Sequence, residues 1–270
     1  MAVTNFIQTI WSRDIQKDLE LKCKLVDNCL RSYEGDVKYA RTVKILGVGE
    51  PTISAYNGET PLTYEKMTDK GQELVIDQQY SFSFLVDDIE TAQSVPGLRE
   101  EYQRKAVHGL AVKRDSYVAG LIKGATNATT ATALNAEAVK EAIDNAIVAL
   151  RERNFDEDGV IEITPAVYNV FKNCLITLST DNPEYIKKGK VGVYDGFDVI
   201  MSNNMAKDSN YIYCDIRGKK AIAFAGQINE VEAMRSEAHF ADLVRGLDTF
   251  GAKVIDNARI QVVKVPVKAS

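Results

Sequence analysis

Leu74-Val75-Ile76-Asp77-Gln78-Gln79-Tyr80-Ser81-Phe82-Ser83-Phe84-Leu85-Val86 is the stretch on which the fold turns. Leu74, Ile76, Tyr80, Phe82, Phe84 and Val86 fall on even positions, while Asp77, Gln79, Ser81 and Ser83 occupy the odd face. Successive side chains of a β-strand point to opposite sides, so a period of two gives a strand with one apolar and one wet face. At about 3.4 Å per residue the run would reach roughly 44 Å, longer than an ordinary strand. That length predicts a two-stranded ribbon projecting from the body. Isolated ribbons are marginal in water, so an apolar ribbon face calls for a partner surface.

Downstream, Asp87-Asp88-Ile89-Glu90 places acids where a helix start favours them. After Pro96-Gly97, the residues Leu98, Tyr102, Val107, Leu110, Tyr117 and Leu121 predict a helix from Leu98 to about Gly124. Such a helix is about 39 Å long. Thr126 to Thr132, rich in threonine and small residues, reads as a surface loop between subdomains. Upstream, Val43, Ile45 and Val48 precede Gly49-Glu50-Pro51, and the short run Thr52 to Tyr56 ends in the turn signal Asn57-Gly58. Ile10, Trp11, Ile15, Leu19 and Leu25 have a loose helical spacing, so Asp14 to Leu30 reads as a short amphipathic helix. A turn-like break from Ser32 to Asp36 closes this arm, which must be held by its own domain or by a neighbouring chain.

The second half alternates helices and strands. Asn135 is placed to cap a helix with the apolar face Val139, Ala142, Ile143, Ala146, Ile147 and Leu150. Val160 to Ile163 is a short strand, and Thr164-Pro165 caps and opens the next helix, which carries Val167, Val170, Phe171, Cys174 and Leu175. Gly192 and Asp195-Gly196 punctuate two strands between Gly189 and Asn204. Tyr211 to Cys214, Ala221 to Ala225 and Ile260 to Val265 read as further strands.

Composition limits the chemistry. The chain has 270 residues, and 45% are hydrophobic, which excludes disordered and collagen-like classes. No apolar run is long enough to span a bilayer, and Met1 to Ser12 lacks the pattern of a secretory signal. A net charge of −5 without a basic patch makes a poor non-specific nucleic-acid binder. Cys23, Cys29, Cys174 and Cys214 lack metal-ligand spacing and read as reduced thiols of a cytosolic protein. Gly47-Val48-Gly49 lacks the third glycine and the helix of a dinucleotide site.

His108 and His239 are the only histidines, and no nucleophile sits in an elbow motif beside them. His239, with Glu237 and Asp242 nearby, is the best remaining base. Asp156-Glu157-Asp158 lacks the alternating spacing of a calcium loop, and Asp87, Asp88 and Glu90 read as capping. Lys187, Lys188 and Lys190 are flanked by acids and read as a solvated loop. The expectation is no catalytic, cofactor-binding or metal residue. An arm, a ribbon, a long helix and a compact α/β part are features of a protein that makes extended contacts with its own copies.

That order resembles the major capsid proteins of tailed bacteriophages, the Hong Kong 97-type fold that encapsulins share. Phe84-Leu85-Val86-Asp87-Asp88-Ile89-Glu90-Thr91-Ala92-Gln93 resembles the junction between ribbon and spine helix. Ile161-Glu162-Ile163-Thr164-Pro165-Ala166-Val167-Tyr168 resembles the axial-domain strand and its proline-initiated helix. Gly189-Lys190-Val191-Gly192, Gly196-Phe197-Asp198-Val199 and Ser202-Asn203-Asn204 resemble a further stretch of that family, and Phe250-Gly251-Ala252-Lys253-Val254 resembles its return strand. The motifs are packing and turn motifs, and their order over essentially the whole chain carries the resemblance.

The resemblance implies an α+β fold with an N-terminal arm (1–40), an extended β-ribbon loop (41–86), a spine helix of the peripheral domain (87–124), an axial domain (125–231) and a return to the peripheral domain with a C-terminal strand (232–270). It implies a non-enzymatic subunit that assembles as pentamers and hexamers into the icosahedral shell of a tailed phage, in the host cytoplasm. That shell encloses double-stranded DNA without sequence-specific binding or a membrane. The short N-terminal arm leaves no room for a long cleaved scaffolding segment, so the resemblance implies a separate scaffolding protein, a portal and optional decoration proteins. Crosslinking of Lys66 or Lys70 to Asn257 matches the family in residue types only. The alternatives are an encapsulin-like cargo compartment and, from another class, a soluble α/β enzyme using His239.

Overall fold

The computed structural model describes residues 23–33, 42–45, 71–87, 98–172, 190–235 and 240–267. In chain order the strands and helices are β1 (Thr42–Ile45), β2 (Gln72–Val75), β3 (Gln78–Asp87), α1 (Leu98–Lys123), β4 (Ala128–Thr130), α2 (Ala136–Arg151), β5 (Gly159–Ile163) and α3 (Pro165–Phe171). There follow β6 (Lys190–Tyr194), β7 (Phe197–Met201), β8 (Tyr211–Gly218), β9 (Ile222–Arg235), β10 (Ala241–Val254) and β11 (Ile260–Pro266). The architecture is α+β, with sheets ordered β1-β2, β3-β10-β9 and β4-β11-β8-β5-β7-β6.

The six-stranded sheet is mixed. β4 lies parallel to β11 and β5 parallel to β7, while the other neighbours run antiparallel. Helix α2 lays Val139, Ile143, Ile147 and Leu150 onto this sheet, and α3 adds Val167 and Phe171. Both helix starts are as expected: the Asn135 side chain accepts from the Ala138 N–H at 2.7 Å, and Thr164 caps the Pro165 helix by accepting from the Val167 N–H. The β6–β7 hairpin turns at Asp195 and Gly196, whose positive φ angles of 49° and 86° are those of a two-residue turn that matches strand twist. The Thr126 to Thr132 stretch is not a plain surface loop. Its centre is β4, which pairs in register with Val262, Val263 and Lys264.

The second core lies between α1 and the three-stranded sheet. Val107, Leu110, Ala111, Val118, Ala119 and Ile122 form the buried stripe of α1, at helical spacing. Against them pack Tyr80, Phe82 and Phe84 of β3 and Val244 and Phe250 of β10. The rings of Phe84 and Tyr102 stack 5.7 Å apart, and those of Tyr80 and Phe250 5.6 Å apart.

The thirteen-residue alternating run is therefore not one long ribbon strand. It breaks after Val75 and contributes β2 to one sheet and β3 to another. The break lies where the backbone crosses Gly251, at which an added Cβ would sit 2.2 Å from the Val75 carbonyl oxygen. The alternation survives the break. Leu74 and Ile76 are buried with Val43, Ile45, Ala223 and Ala225, while the aromatic half faces α1. The apolar face that called for a partner is covered by the chain's own helix.

Two charges sit inside this second core. Arg114 of α1 donates from Nε to Asp248 Oδ2 of β10 at 2.9 Å and from Nη2 to Oδ1, between the rings of Phe224 and Phe250. The bidentate pair fixes α1 along the sheet. Removing one partner of a buried pair strands the other charge, so Asp248→Ala is expected to cost about 3–5 kcal/mol in urea unfolding, whereas the paired change Arg114→Met with Asp248→Leu costs far less. Gly251→Ala is expected to cost about 1–3 kcal/mol by the same measurement, because the Val75 backbone must move aside.

Candidate assembly surface and arm anchor

The described part of the N-terminal arm, residues 23–33, runs between the two cores. It contains one 3-10 turn, Val26–Asn28, and not the expected helix through Leu30. The reason lies in its hydrogen bonds. Asp115 of α1 accepts from the backbone N–H groups of Lys24 (3.1 Å), Leu25 (3.1 Å) and Val26 (3.3 Å), and from the Asn204 side chain at 3.0 Å. Arg217 of β8 donates to the carbonyls of Asn28 (2.6 Å) and Leu25 (3.1 Å). Side chains of the body thus take the groups that a helical ladder would use. Leu30 then joins β9, donating to Ile222 O at 2.8 Å and accepting from Phe224 N at 2.9 Å. Cys23, Leu25, Val26 and Cys29 are buried in the α1 core, so this part of the arm is held by its own chain.

Beneath the arm lies a charged cluster with no exposure at all. Arg217 Nη2 donates to both oxygens of Glu162 on β5, at 3.0 and 3.2 Å, and Asn28 Nδ2 donates to Glu162 Oε1 at 3.0 Å. Asp215, also on β8, stands directly opposite Glu162 across the β5–β8 ladder. Burial pushes Asp115 above the usual carboxylate range, against the pull of its N–H donors. The charge of Glu162 holds Arg217 firmly protonated against its own burial.

The outward face of the three-stranded sheet has another character. Leu243 of β10 is in register with Leu85 of β3 and Met234 of β9. This row of three apolar side chains crosses the sheet, 38%, 42% and 49% exposed, on the face away from α1. It opens a groove of about 430 Å³. One row along, Arg245 donates to Glu232 at 2.7 Å, and beyond it Leu247 is again partly exposed. Phe240, at the start of β10, is 80% exposed, more than any other large apolar residue among those described.

The residues singled out for chemistry do not converge. His108 is exposed on α1, and His239 lies outside the described residues, as do Cys174, Lys66, Lys70, Lys187, Lys188 and the glycines at 47 and 49. Cys23, Cys29 and Cys214 are buried free thiols. Burial pushes Cys29 and Cys214 up to about 12, so neither is a nucleophile at neutral pH. Glu157 is engaged by Lys220 at 3.1 Å and Arg259 at 2.6 Å, which hold its carboxyl below the usual range. Asn257 opens a 3-10 turn, and its carbonyl accepts from Asn127 Nδ2 at 2.6 Å. Among the described residues no three His, Cys, Asp or Glu side chains are grouped to hold a metal ion, and no helix is long and apolar enough to cross a membrane.

The residues that matter most, Arg114, Asp115, Glu162, Asp215, Arg217 and Asp248, were not singled out by motif or spacing. Arg114 and Asp115 carry a signal, charges within the helical stripe of Leu110 and Val118. Glu162, Asp215 and Arg217 carry none, since they alternate with Ile161, Ile163, Cys214 and Ile216 as the wet face of a strand would.

Comparison with known proteins follows this geometry. The family model described as phage capsid protein matches residues 76–263, well over half of the chain. No curated protein matches the sequence. Among solved structures, a chain of Mycobacterium phage Che8 is 24% identical, with a TM-score of 0.71 over 88% of this chain and 90% of that one. The capsid of Ralstonia phage GP4 is 12% identical, with a TM-score of 0.64 over 92% of each chain. The virus-like particle from Pyrococcus furiosus is 12% identical, with a TM-score of 0.59 over 95% of this chain and 99% of that one. At these identities the structures establish the fold and the matched model establishes the family. The chain belongs to the phage capsid protein family and has the Hong Kong 97-type fold of a major capsid subunit.

Proposed function

We propose that the chain assembles as pentamers and hexamers into the icosahedral head of a tailed phage, around double-stranded DNA, and that it performs no catalysis. The family match over residues 76–263 carries this reading. Physical chemistry supports it in two ways. The apolar row Leu85, Leu243 and Met234 with Phe240 lies outside both cores, and burying such a surface against a second copy is the ordinary driving force of association. The net charge of −5 suits a wall that does not bind its genome tightly, since a basic lining would adhere to DNA through counterion release.

The domain assignment proposed is the one the resemblance implies: arm 1–40, extended loop 41–86, spine helix 87–124, axial domain 125–231 and return 232–270. The six-stranded sheet with α2 and α3 supports an axial unit, closed by the late strand β11. A separate scaffolding protein, a portal, optional decoration proteins and assembly in the host cytoplasm belong to the same proposal. Family membership favours the phage shell over the cargo-enclosing compartment, and it leaves the enzyme reading resting on His239 alone.

The test is sedimentation of the purified chain, alone and co-expressed with its scaffolding protein, with negative-stain imaging of the fast fraction. Closed shells or five- and six-membered capsomers are expected. Persistent monomers or dimers in both conditions would overturn the reading. Leu243→Asp is expected to keep the circular dichroism of the wild type and lose the fast fraction. Unchanged assembly of that variant would remove the apolar row from the contact surface.

A further inference from the structure

We propose that Glu162, Asp215 and Arg217 form a proton-holding latch that fixes the arm segment 23–33 to the body, and that loss of the proton as pH rises frees the arm. The proposal starts from a charge count. Arg217, Glu162 and Asp215 are all completely buried. One guanidinium faces two carboxylates, so with both acids ionised the cluster would carry a net negative charge shielded from bulk solvent. An uncompensated buried charge is expensive, and a buried acid avoids it by keeping its proton.

Geometry identifies the acid that does so. Glu162 accepts from Arg217 and Asn28 and is well served as an anion. Among the described residues, neither oxygen of Asp215 receives an aligned hydrogen bond. Arg217 Nε lies 3.1 Å from Asp215 Oδ2 yet is not aligned to donate to it. As a neutral acid, Asp215 needs only one acceptor, and Glu162 stands opposite it in the ladder. Burial first, and the Glu162 charge second, push the Asp215 carboxyl well above its ordinary range, with Arg217 opposing them.

Among the described residues, the other elements packed around the cluster bring no second cation into hydrogen-bond distance of its carboxylates. The arm contributes the Asn28 amide, the carbonyls of Leu25 and Asn28 and the raised Cys29 thiol. Lys24 directs its ammonium to the Met201 carbonyl at 3.2 Å. From α1 come Asp115, a further carboxyl whose charge adds to the imbalance, and Arg114, which is committed to Asp248. Arg31 lies farther along the arm, where its charge acts on Cys23.

Arg217 is the hinge of the coupling. The same Nη2 that serves Glu162 also holds Leu25 O, and Nη1 holds Asn28 O. Ionising Asp215 gives the guanidinium a second anion to satisfy, in competition with the arm carbonyls. The direction follows from linkage. The folded state holds a proton that the unfolded chain releases at about pH 4, so arm docking is strongest below about pH 4 and weakens as pH rises from there to the raised folded pKa.

The experiment is hydrogen exchange on the full chain from about pH 4 to about pH 9, expressed as protection factors so that the intrinsic rate change is removed. The reporters are the amides of Leu25, Val26 and Leu30, with those of Ala142 to Leu150 in α2 as internal control. In the wild type, arm protection is expected to fall by up to tenfold per pH unit as pH rises toward the folded pKa, the limit for one proton, and to level off above it, while α2 holds. In Asp215→Asn the arm should stay protected at every pH. Arm protection independent of pH in the wild type, or equal pH dependence in Asp215→Asn, would overturn the latch. The second outcome would assign the titration to another group such as Asp115. Should Asp215→Asn not fold, infrared spectroscopy at neutral pH decides: a protonated carboxylic acid band that disappears at high pH and persists in Asp115→Asn supports the latch, and its absence from the wild type or its loss in Asp115→Asn refutes it.

Discussion

A guanidinium withdrawn completely from water governs much of this molecule. The desolvation cost of an ion is several kcal/mol even after the protein relaxes, so Arg217 can be buried only where its charge is paired and its two Nη groups are matched. Glu162 supplies two acceptors and the arm carbonyls supply two more. Those partners come from two separate parts of the chain, the arm and β5, and neither can shift without leaving a charge or a polar group unmatched. The requirement therefore sets where the arm crosses the body, and it bears on the β5–β8 register, in which Glu162 and Asp215 face one another.

The same solution recurs on the other side of α1. Asp115 faces the arm with an acceptor set for three consecutive backbone N–H groups, and Arg114, its neighbour in sequence, faces the three-stranded sheet through Asp248. Adjacent helix positions differ by about 100° around the axis, so one residue pair reaches two different layers. The helix serves as a partition between arm and sheet. Apolar packing decides that these layers associate, and the buried charges decide where along each other they stop, because dispersion and burial alone are nearly indifferent to sliding by one residue.

Much of this was legible beforehand. The boundaries of α1, the Asn135 and Thr164 caps, the Asp195-Gly196 turn and the late strand from Ile260 each follow from local chemistry that acts within a few residues. The unread parts depend on distant partners. The break after Val75 is set by Gly251, and no periodicity within residues 74–86 encodes it. The strand at Ala128–Thr130 exists because β11 offers it a parallel edge, while its own composition favours a loop. The arm is irregular because Asp115 and Arg217 claim its backbone groups. The outward row of Leu85, Leu243 and Met234 is invisible in a linear reading, since its members approach only through the pairing of three strands.

The order of the strands in the two larger sheets has a consequence for synthesis. In the three-stranded sheet β10 is the middle strand, and in the six-stranded sheet β11 lies between β4 and β8. Residues 241–266 therefore complete both sheets, and a ribosome that has made only the first 240 residues has produced neither. Until then α1 lacks Val244, Phe250 and Asp248, and the row of apolar side chains lacks its centre, Leu243. Strand pairing at such sequence separation is slow because loop closure precedes its reward. Until residues 241–266 are made, the apolar stripe of α1 stays uncovered by β10 and the outward row of Leu85, Leu243 and Met234 is incomplete, which makes the last strands the ones that close the subunit.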